Sequence, residues 1–556
     1  MSRTTNRMVQ RGGIRIDGVK RSGMSMWDAA PTENVPRSTF NLSHAHKTSF
    51  EMGRLIPILC KEMLPGSTYK MSAEAFLRLA PMIAPIMDNV DIQISSFFVP
   101  ERILYTSQDQ WKFHIMGRSG DANNTGDPTP SWGYCQFAEN DIPVSSLGNY
   151  LGLKTPTVAG RDFLVKASPL AAYCKIYDDY YRAKYVQAGA FQTVDLSARN
   201  TYYEAVAAAT PLRIGKMHDY FTTCLPNPQV GEPVLIPLIT TPATVSLADY
   251  DSVGNFQKFK KLDGSNNWVV NGSDTTLSQN GTNGNISATG GDYGVIDPNG
   301  TLIVDVDSLN SSAASIIDLR IAIQIQAYFE QMARNGSDFN EWLLSMFSVQ
   351  SEDSRLQRAE YVDTTSTRMV ISQVLATTAA TSQPLGTFAG HGVSYGGGNM
   401  HYYEAKEHGY FMVLISVAPE TSYFNGIERM WSRQTWYDYP IPMFGSVSEM
   451  EVKRKELNID VTTDEQEETF GYQLKDADFK FANSRVSGQF QTTLNYWHMA
   501  QIFEPSEVPT LDSAFILQDP TTRIFAVEDA ESIFGVIYFN IQASHPLPRF
   551  SVPRIQ

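Results

Sequence analysis

The chain has 556 residues, 42% of them hydrophobic and 19% charged, which excludes a disordered polar polymer and supplies a sizeable core. Its formal net charge of -15 excludes a uniformly basic nucleic-acid binder. No run of about 18 apolar residues occurs, so no membrane-inserted helix is expected.

In chain order, the first feature is a basic arm over residues 1–35. Arg3, Arg7, Arg11, Arg15, Lys20 and Arg21 face a single acid, Asp17, within the first 23 residues. Those residues carry +5, so the rest of the chain carries -20. The arm has four glycines and no hydrophobic period, hence no core of its own. No apolar stretch follows the charged amino terminus, so no secretory signal is expected and folding in a cytoplasm is. His44 and His46 form a His-x-His pair without a third ligand nearby, which favours a structural role. Val90–Pro100 alternates Val90, Ile92 and Ile94 with Asp91, Gln93 and Ser95, the period of a half-buried strand. Leu170–Val186 is a candidate helix, rich in Tyr and charge, as suits an interface surface.

Residues 241–312 concentrate Gly, Asn, Asp, Ser and Thr in small turn signals, with short apolar pieces at Trp268–Val270 and Leu302–Val306. They read as an exposed insertion of short strands and tight turns. Ile316–Arg334 contains many good helix formers. Phe339, Trp342, Leu343, Met346 and Phe347 then mark one apolar helix face. Gly396–Gly398 lacks the ending of a phosphate-binding loop and reads as a flexible turn. His408–Pro419 is an almost continuous apolar run of strand length, buried on both faces. Asp464–Glu468 reads as a solvated acidic loop, with an interface calcium ion as the alternative. Ile533–Ala543 spaces Ile537, Phe539 and Ile541 by two, a strand again. Cys60, Cys135, Cys174 and Cys224 are far apart and read as buried thiols. Strands so widely separated suit a β-sandwich with long connections.

Several segments resemble the major capsid proteins of microviruses, the gokushovirus-like branch in particular. PRSTFNLSHAHKTSF (36–50), LPGSTY (64–69), MDNVDIQISSFFVP (87–100) and PLAAYCKIYDDYYR (169–182) are similar to its amino-terminal segments. HDYFTTCLPNPQ (218–229), DLRIAIQIQ (318–326), RLQRAEY (355–361), EHGY (407–410), RMWSR (429–433) and YDY (437–439) follow in the same order. FGYQ (470–473), WHMAQ (497–501) and SVP (551–553) complete the series. The ordered set is far more specific than any one motif.

The resemblance implies a mainly β protein: an eight-stranded antiparallel jelly roll over residues 36–556 with long loop and helical insertions. A jelly roll needs only about 150–200 residues, so more than half of the chain is inserted between strands. Residues 241–312 then form a variable surface protrusion near the three-fold axes. Sixty copies are implied to form a T=1 shell around a circular single-stranded DNA genome, in virions assembled in the bacterial cytoplasm. No enzymatic activity, cofactor or metal is implied. The implied partners are further copies of the chain, the packaged DNA, a minor pilot protein and a host surface receptor, and the shortage of positive charge adds a small basic DNA-binding virion protein or polyamines.

Two regions carry candidate binding chemistry. The six basic residues of the arm gain affinity for phosphate by counterion release, and the alternative is an arm that ties neighbouring subunits. Sixty arms supply only about 360 positive charges, a minority of the phosphates in such a genome. The insertion carries Trp268 and Tyr293 for a host surface sugar or protein, and the alternative is a variable loop that binds nothing. A surface adhesin or carbohydrate-binding module, and an enzyme on a jelly roll, remain the competing classes.

Overall fold

The computed structural model describes residues 36–107, 132–231, 316–334, 338–375, 388–445, 449–527 and 531–549, apart from a few positions within them. It also describes Trp111, Ile115 and six short strands between 245 and 304. The arm, 1–35, lies outside the described residues.

Two antiparallel sheets face each other across one core. The sandwich strands are β1 (Ser38–Asn41), β2 (His44–Phe50), β3 (Ile56–Met63), β4 (Thr68–Leu79), β5 (Val90–Pro100), β6 (Glu360–Arg368), β7 (Val370–Leu375), β8 (Phe388–Gly397), β9 (His401–Glu404), β10 (Gly409–Pro419) and β11 (Ile533–His545). The larger sheet runs β1-β11-β4-β8-β7, and β1 and β2 pair end to end along β11 as one interrupted edge. Likewise β8 and β9 share β4, whose Glu74–Arg78 half pairs with β8 and whose Thr68–Met71 half pairs with β9. The smaller sheet runs β6-β5-β10-β3. Pro57, which cannot donate to a ladder, sits on the edge strand β3 beside a register shift.

The apolar patterns follow from what lies on each side. In β10, Phe411, Val413, Ile415 and Val417 enter the core between the sheets, while Tyr410, Met412 and Leu414 enter a second core on the outside. Burial on both faces is why its apolar run is continuous. In β5, Asp91 and Gln93 keep some solvent, but Phe97 and Val99 join the second core, so the strand becomes fully buried toward Pro100. β11 alternates as expected, with Ile537, Phe539 and Ile541 at no more than 2% exposure.

The second core is built by insertions over the smaller sheet, led by helices α1 (Ser168–Ile176) and α2 (Thr201–Ala208). Here the Leu170–Val186 expectation is corrected. The α-helix stops at Ile176, a π turn spans Tyr177–Tyr181, and Arg182 is extended. The tyrosines are not one exposed surface: Tyr173 and Tyr177 are buried, Tyr180 and Tyr181 are half-buried, and Tyr185 is exposed. Tyr173 is fully buried, and Tyr173, Tyr177 and Tyr180 donate to the backbone carbonyls of Leu55, Arg213 and Ala359. A buried ring with a partner for its hydroxyl is as good a core residue as phenylalanine. The glycine run is corrected too. Gly396 lies inside β8, where a Cβ would come within 2.5 Å of the Thr367 methyl on the facing sheet. Close approach of the sheets, not turning, requires glycine there.

A third core gathers Tyr220, Phe221, Cys224, Tyr423, Phe470 and Phe515 around the hairpin of Met450–Lys453 and Thr469–Gln473. Residues 229–334 form a separate compact unit. Within it the strands Val245–Leu247 and Leu302–Val304 pair and enclose two hairpins, Lys260–Leu262 with Trp268–Val270 and Leu277–Asn280 with Asn285–Ala288. Its helix α3 spans Ile316–Arg334, as the sequence indicates. Helix α4 (Phe339–Phe347) belongs to the main unit, and none of its residues is fully buried.

Candidate functional site

The sequence candidates do not converge. The six basic arm residues and Tyr293 lie outside the described residues. Trp268 opens the strand Trp268–Val270, opposite Leu262. Among the described residues no group of three or more His, Cys, Asp or Glu could hold a metal ion. The His44 ring stacks on Phe539 at 5.3 Å, and its Nδ1 lies 2.9 Å from the Leu42 carbonyl oxygen. Burial lowers the pKa of His46, with His44 adding to the effect. The acidic run 464–468 forms a helical turn whose Glu467 and Glu468 pair with Lys455 and Arg454. The cysteines are free thiols, and burial pushes Cys60 and Cys135 up to about 12, far from thiolate chemistry at neutral pH.

The described surface does present an aromatic knuckle at residues 429–445. Three single 3-10 turns, Arg429–Ser432, Trp436–Asp438 and Pro442–Phe444, hold it in place of any longer element. Trp431, Trp436 and Met443 stand 75%, 69% and 77% exposed, so none of the described residues covers them. Yet the knuckle is rigidly made. The Asp438 carboxylate accepts from the backbone N–H groups of Gln434 and Thr435 and from the Thr435 hydroxyl, which holds it below the usual carboxylate range. Arg433 pairs with Asp478 while its guanidinium lies 4.9 Å from the centre of the Phe479 ring. The Lys475 ammonium sits 4.7 Å from the centre of the Tyr437 ring.

At its base Arg429 donates to the Glu451 carbonyl oxygen and to Glu456, and Glu456 accepts from the Tyr220 hydroxyl at 3.0 Å. Burial pushes the Glu456 carboxyl up, against the pull of Arg429. A cavity of about 600 Å³ opens here, lined by Tyr220, Met430, Trp431, Phe479 and Arg485 among others. Exposed Trp, Tyr and Met on a fixed backbone make the composition of a protein–protein contact centre, with little side-chain entropy left to lose. The sequence reading matched RMWSR and YDY as motifs but gave them no role. The available signal was the density of large rings in a stretch with neither a strand nor a helix period.

A family profile described as "Capsid protein (F protein)" matches residues 29–555. The chain belongs to this capsid-protein family. Capsid protein VP1 of Chlamydia phage 1 is 30% identical over 604 aligned residues, covering 98% of this chain and 99% of the relative. Capsid protein VP1 of Bdellovibrio phage phiMH2K is 32% identical, covering 94% and 96%. Capsid protein VP1 of Spiroplasma virus 4 is 28% identical with the same coverage. This microvirus capsid protein is therefore a major capsid protein of single-stranded DNA phages, a structural component of the virion and not an enzyme.

Proposed function

We propose that sixty copies close into a T=1 icosahedral shell around a circular single-stranded DNA genome, each copy supplying one eight-stranded jelly roll. The observation that carries this reading is the strand order. Taking one principal strand per position, the sheets run β2-β11-β4-β8 and β6-β5-β10-β3. Numbered along the chain these are 1-8-3-6 and 5-4-7-2, the interleaved connectivity of a rolled-up double Greek key. The aromatic knuckle serves as a heterologous contact repeated around the symmetry axes. Electron microscopy of the purified protein should show shells of about 25–30 nm, a size fitting sixty such subunits. Trp431→Ala with Trp436→Ala should abolish them while the subunit stays folded. Shells that persist in that variant would remove the knuckle from assembly, and filaments or monomers from the unaltered chain would overturn the sixty-copy reading.

The basic arm contacts packaged DNA through Arg3, Arg7, Arg11, Arg15, Lys20 and Arg21, and a small basic virion protein or polyamines share the particle with a minor pilot protein. Residues 241–312 meet the host receptor. Their support is a separate compact unit at 229–334 whose composition is that of exposed polar turns. Deleting residues 255–298 should leave particles intact but impair adsorption, and normal adsorption would end the receptor assignment.

A further inference from the structure

We propose that the outward face of the larger sheet binds single-stranded DNA by stacking bases on its exposed aromatic rings. The inference rests on the reading of this chain as the wall of a DNA-filled shell, and adds a site on the body to the one on the arm.

The two outer faces of the sandwich differ. The second core covers the Pro100 half of the smaller sheet's outer face, where Phe97, Val99, Tyr410 and Met412 meet helix α1 and its neighbours, while Gln93 and Tyr361 stay exposed. No such core covers the larger sheet among the described residues. Its outward positions instead hold Phe534, Tyr538 and Tyr395, exposed by 42%, 52% and 72%. The register sets them as one patch. Val536 lies opposite Phe76, and Phe76 opposite Tyr395, while Phe534 and Tyr538 flank that row two residues to either side. With about 4.8 Å between strands and about 3.3 Å per residue, the patch spans roughly 10 by 13 Å. Exposed Lys47 lies opposite Val536 and exposed Arg78 opposite Phe534, with the acid Glu74 opposite Tyr538 at the other end of the patch. The Arg78 guanidinium is 5.0 Å from the centre of the Phe76 ring, and the Tyr395 hydroxyl donates to Glu74 at 3.3 Å, so both neighbours are positioned.

Rings on a rigid sheet accept any base, because every base has a π face, and flanking cations track the phosphates. That suits a genome packaged without sequence readout. The patch is locally positive on a chain of net charge -15, which favours a polyanion over another copy of the same acidic protein.

The test uses full-length protein and a fluorescein-labelled thymidine oligonucleotide, followed by anisotropy. Tyr395→Ala, Phe534→Ala and Tyr538→Ala together should weaken binding at least about tenfold. The slope of affinity against salt should stay unchanged, since no charge is removed. Tyr395→Phe with Tyr538→Phe should bind within about twofold of the unaltered protein, since the rings remain. Photocrosslinking of a halogenated-uridine oligonucleotide to the unaltered protein needs no variant and should place adducts on Tyr395, Phe534 or Tyr538. Unchanged affinity, or adducts confined to residues 1–35, overturns the inference while shells seen by microscopy leave the capsid reading standing. Failure of the unaltered chain to form shells is the separate failure of that reading. A triple variant that binds DNA normally but does not assemble assigns the face to a second copy of the chain and also overturns the inference.

Discussion

Tyr173→Phe tests how the inserted helices are fastened to the sandwich. Tyr173 is fully buried on α1, and its hydroxyl donates to the Leu55 carbonyl oxygen at 2.8 Å while accepting from the Leu212 N–H at 3.0 Å. Leu55 in turn donates to the Leu212 carbonyl oxygen at 2.9 Å, so one oxygen closes a knot between α1, the entry to β3 and the segment after α2. The phenylalanine variant keeps the ring and leaves a void too small for a water. It leaves the buried Leu55 carbonyl oxygen without this donor, at about 1–3 kcal/mol, and removes the bond to the part-buried Leu212 N–H, worth about 0.5–1.5 kcal/mol. The expected loss is about 2–4 kcal/mol, large beside the roughly 5–15 kcal/mol that holds a typical domain folded. Urea unfolding of the soluble subunit, followed by tryptophan fluorescence, should show a lower midpoint at unchanged slope. Tyr202→Phe is the control. Its hydroxyl donates to the Ala190 carbonyl oxygen from a partly buried position where water can replace it, so it should cost less than about 1 kcal/mol. Equal midpoints for Tyr173→Phe and the unaltered subunit would refute the reasoning, because the insertion would then be held by ring packing alone.

Lys216 is buried against Phe515, and burial pulls its ammonium from 10.5 down to about 8. Between those values the unfolded chain binds more protons, so this group makes stability rise with pH; the difference between unaltered protein and Lys216→Met should grow by about 3 kcal/mol from pH 8 to 10.5 in pH-resolved urea melts. Arg429→Met leaves the buried Glu456 carboxylate without its cation and should cost about 3 kcal/mol, most of it regained when Glu456→Gln is added, as a double-mutant cycle would read. Gly396→Ala should cost about 1–3 kcal/mol by driving a Cβ into Thr367, and Thr367→Gly in the same chain should recover part of the thermal midpoint.

Sequence pattern revealed elements whose burial is local in cause. The run in β10 announced two covered faces, and α3 and α4 showed their helical composition and period before their ends were seen. What stayed hidden depends on distant partners. β2 pairs with β11 across almost the whole chain, His44 opposite Phe539, and no local period encodes that register. Tyr173, Tyr177 and Tyr180 looked like surface because the carbonyls that satisfy them belong to Leu55, Arg213 and Ala359. Gly396 looked like a turn because Thr367, the reason for it, stands on the opposite sheet. The same limit applied to binding surfaces. A charged arm is visible as composition, whereas the knuckle at 429–445 and the rings of Tyr395, Phe534 and Tyr538 acquire meaning only when the fold leaves them bare.

The two proposed DNA contacts do different physical work, and their charges show it. On a sixty-copy shell the arms supply about 360 positive charges. Lys47 and Arg78 less Glu74 add one net charge per copy, about 60 more, against a genome on the order of several thousand phosphates. Stacking orders bases without neutralising a phosphate, so the sheet face cannot close that gap. The -20 carried by the rest of each chain widens it. A separate cation must therefore enter the particle with the DNA, either a small basic protein or polyamines. Mass spectrometry and amine analysis of purified, DNA-filled virions should find one of them in an amount matching most of the unneutralised phosphate. Full particles that contain neither, and hold only ordinary salt cations, would show that counterion release from protein groups is not what permits packaging.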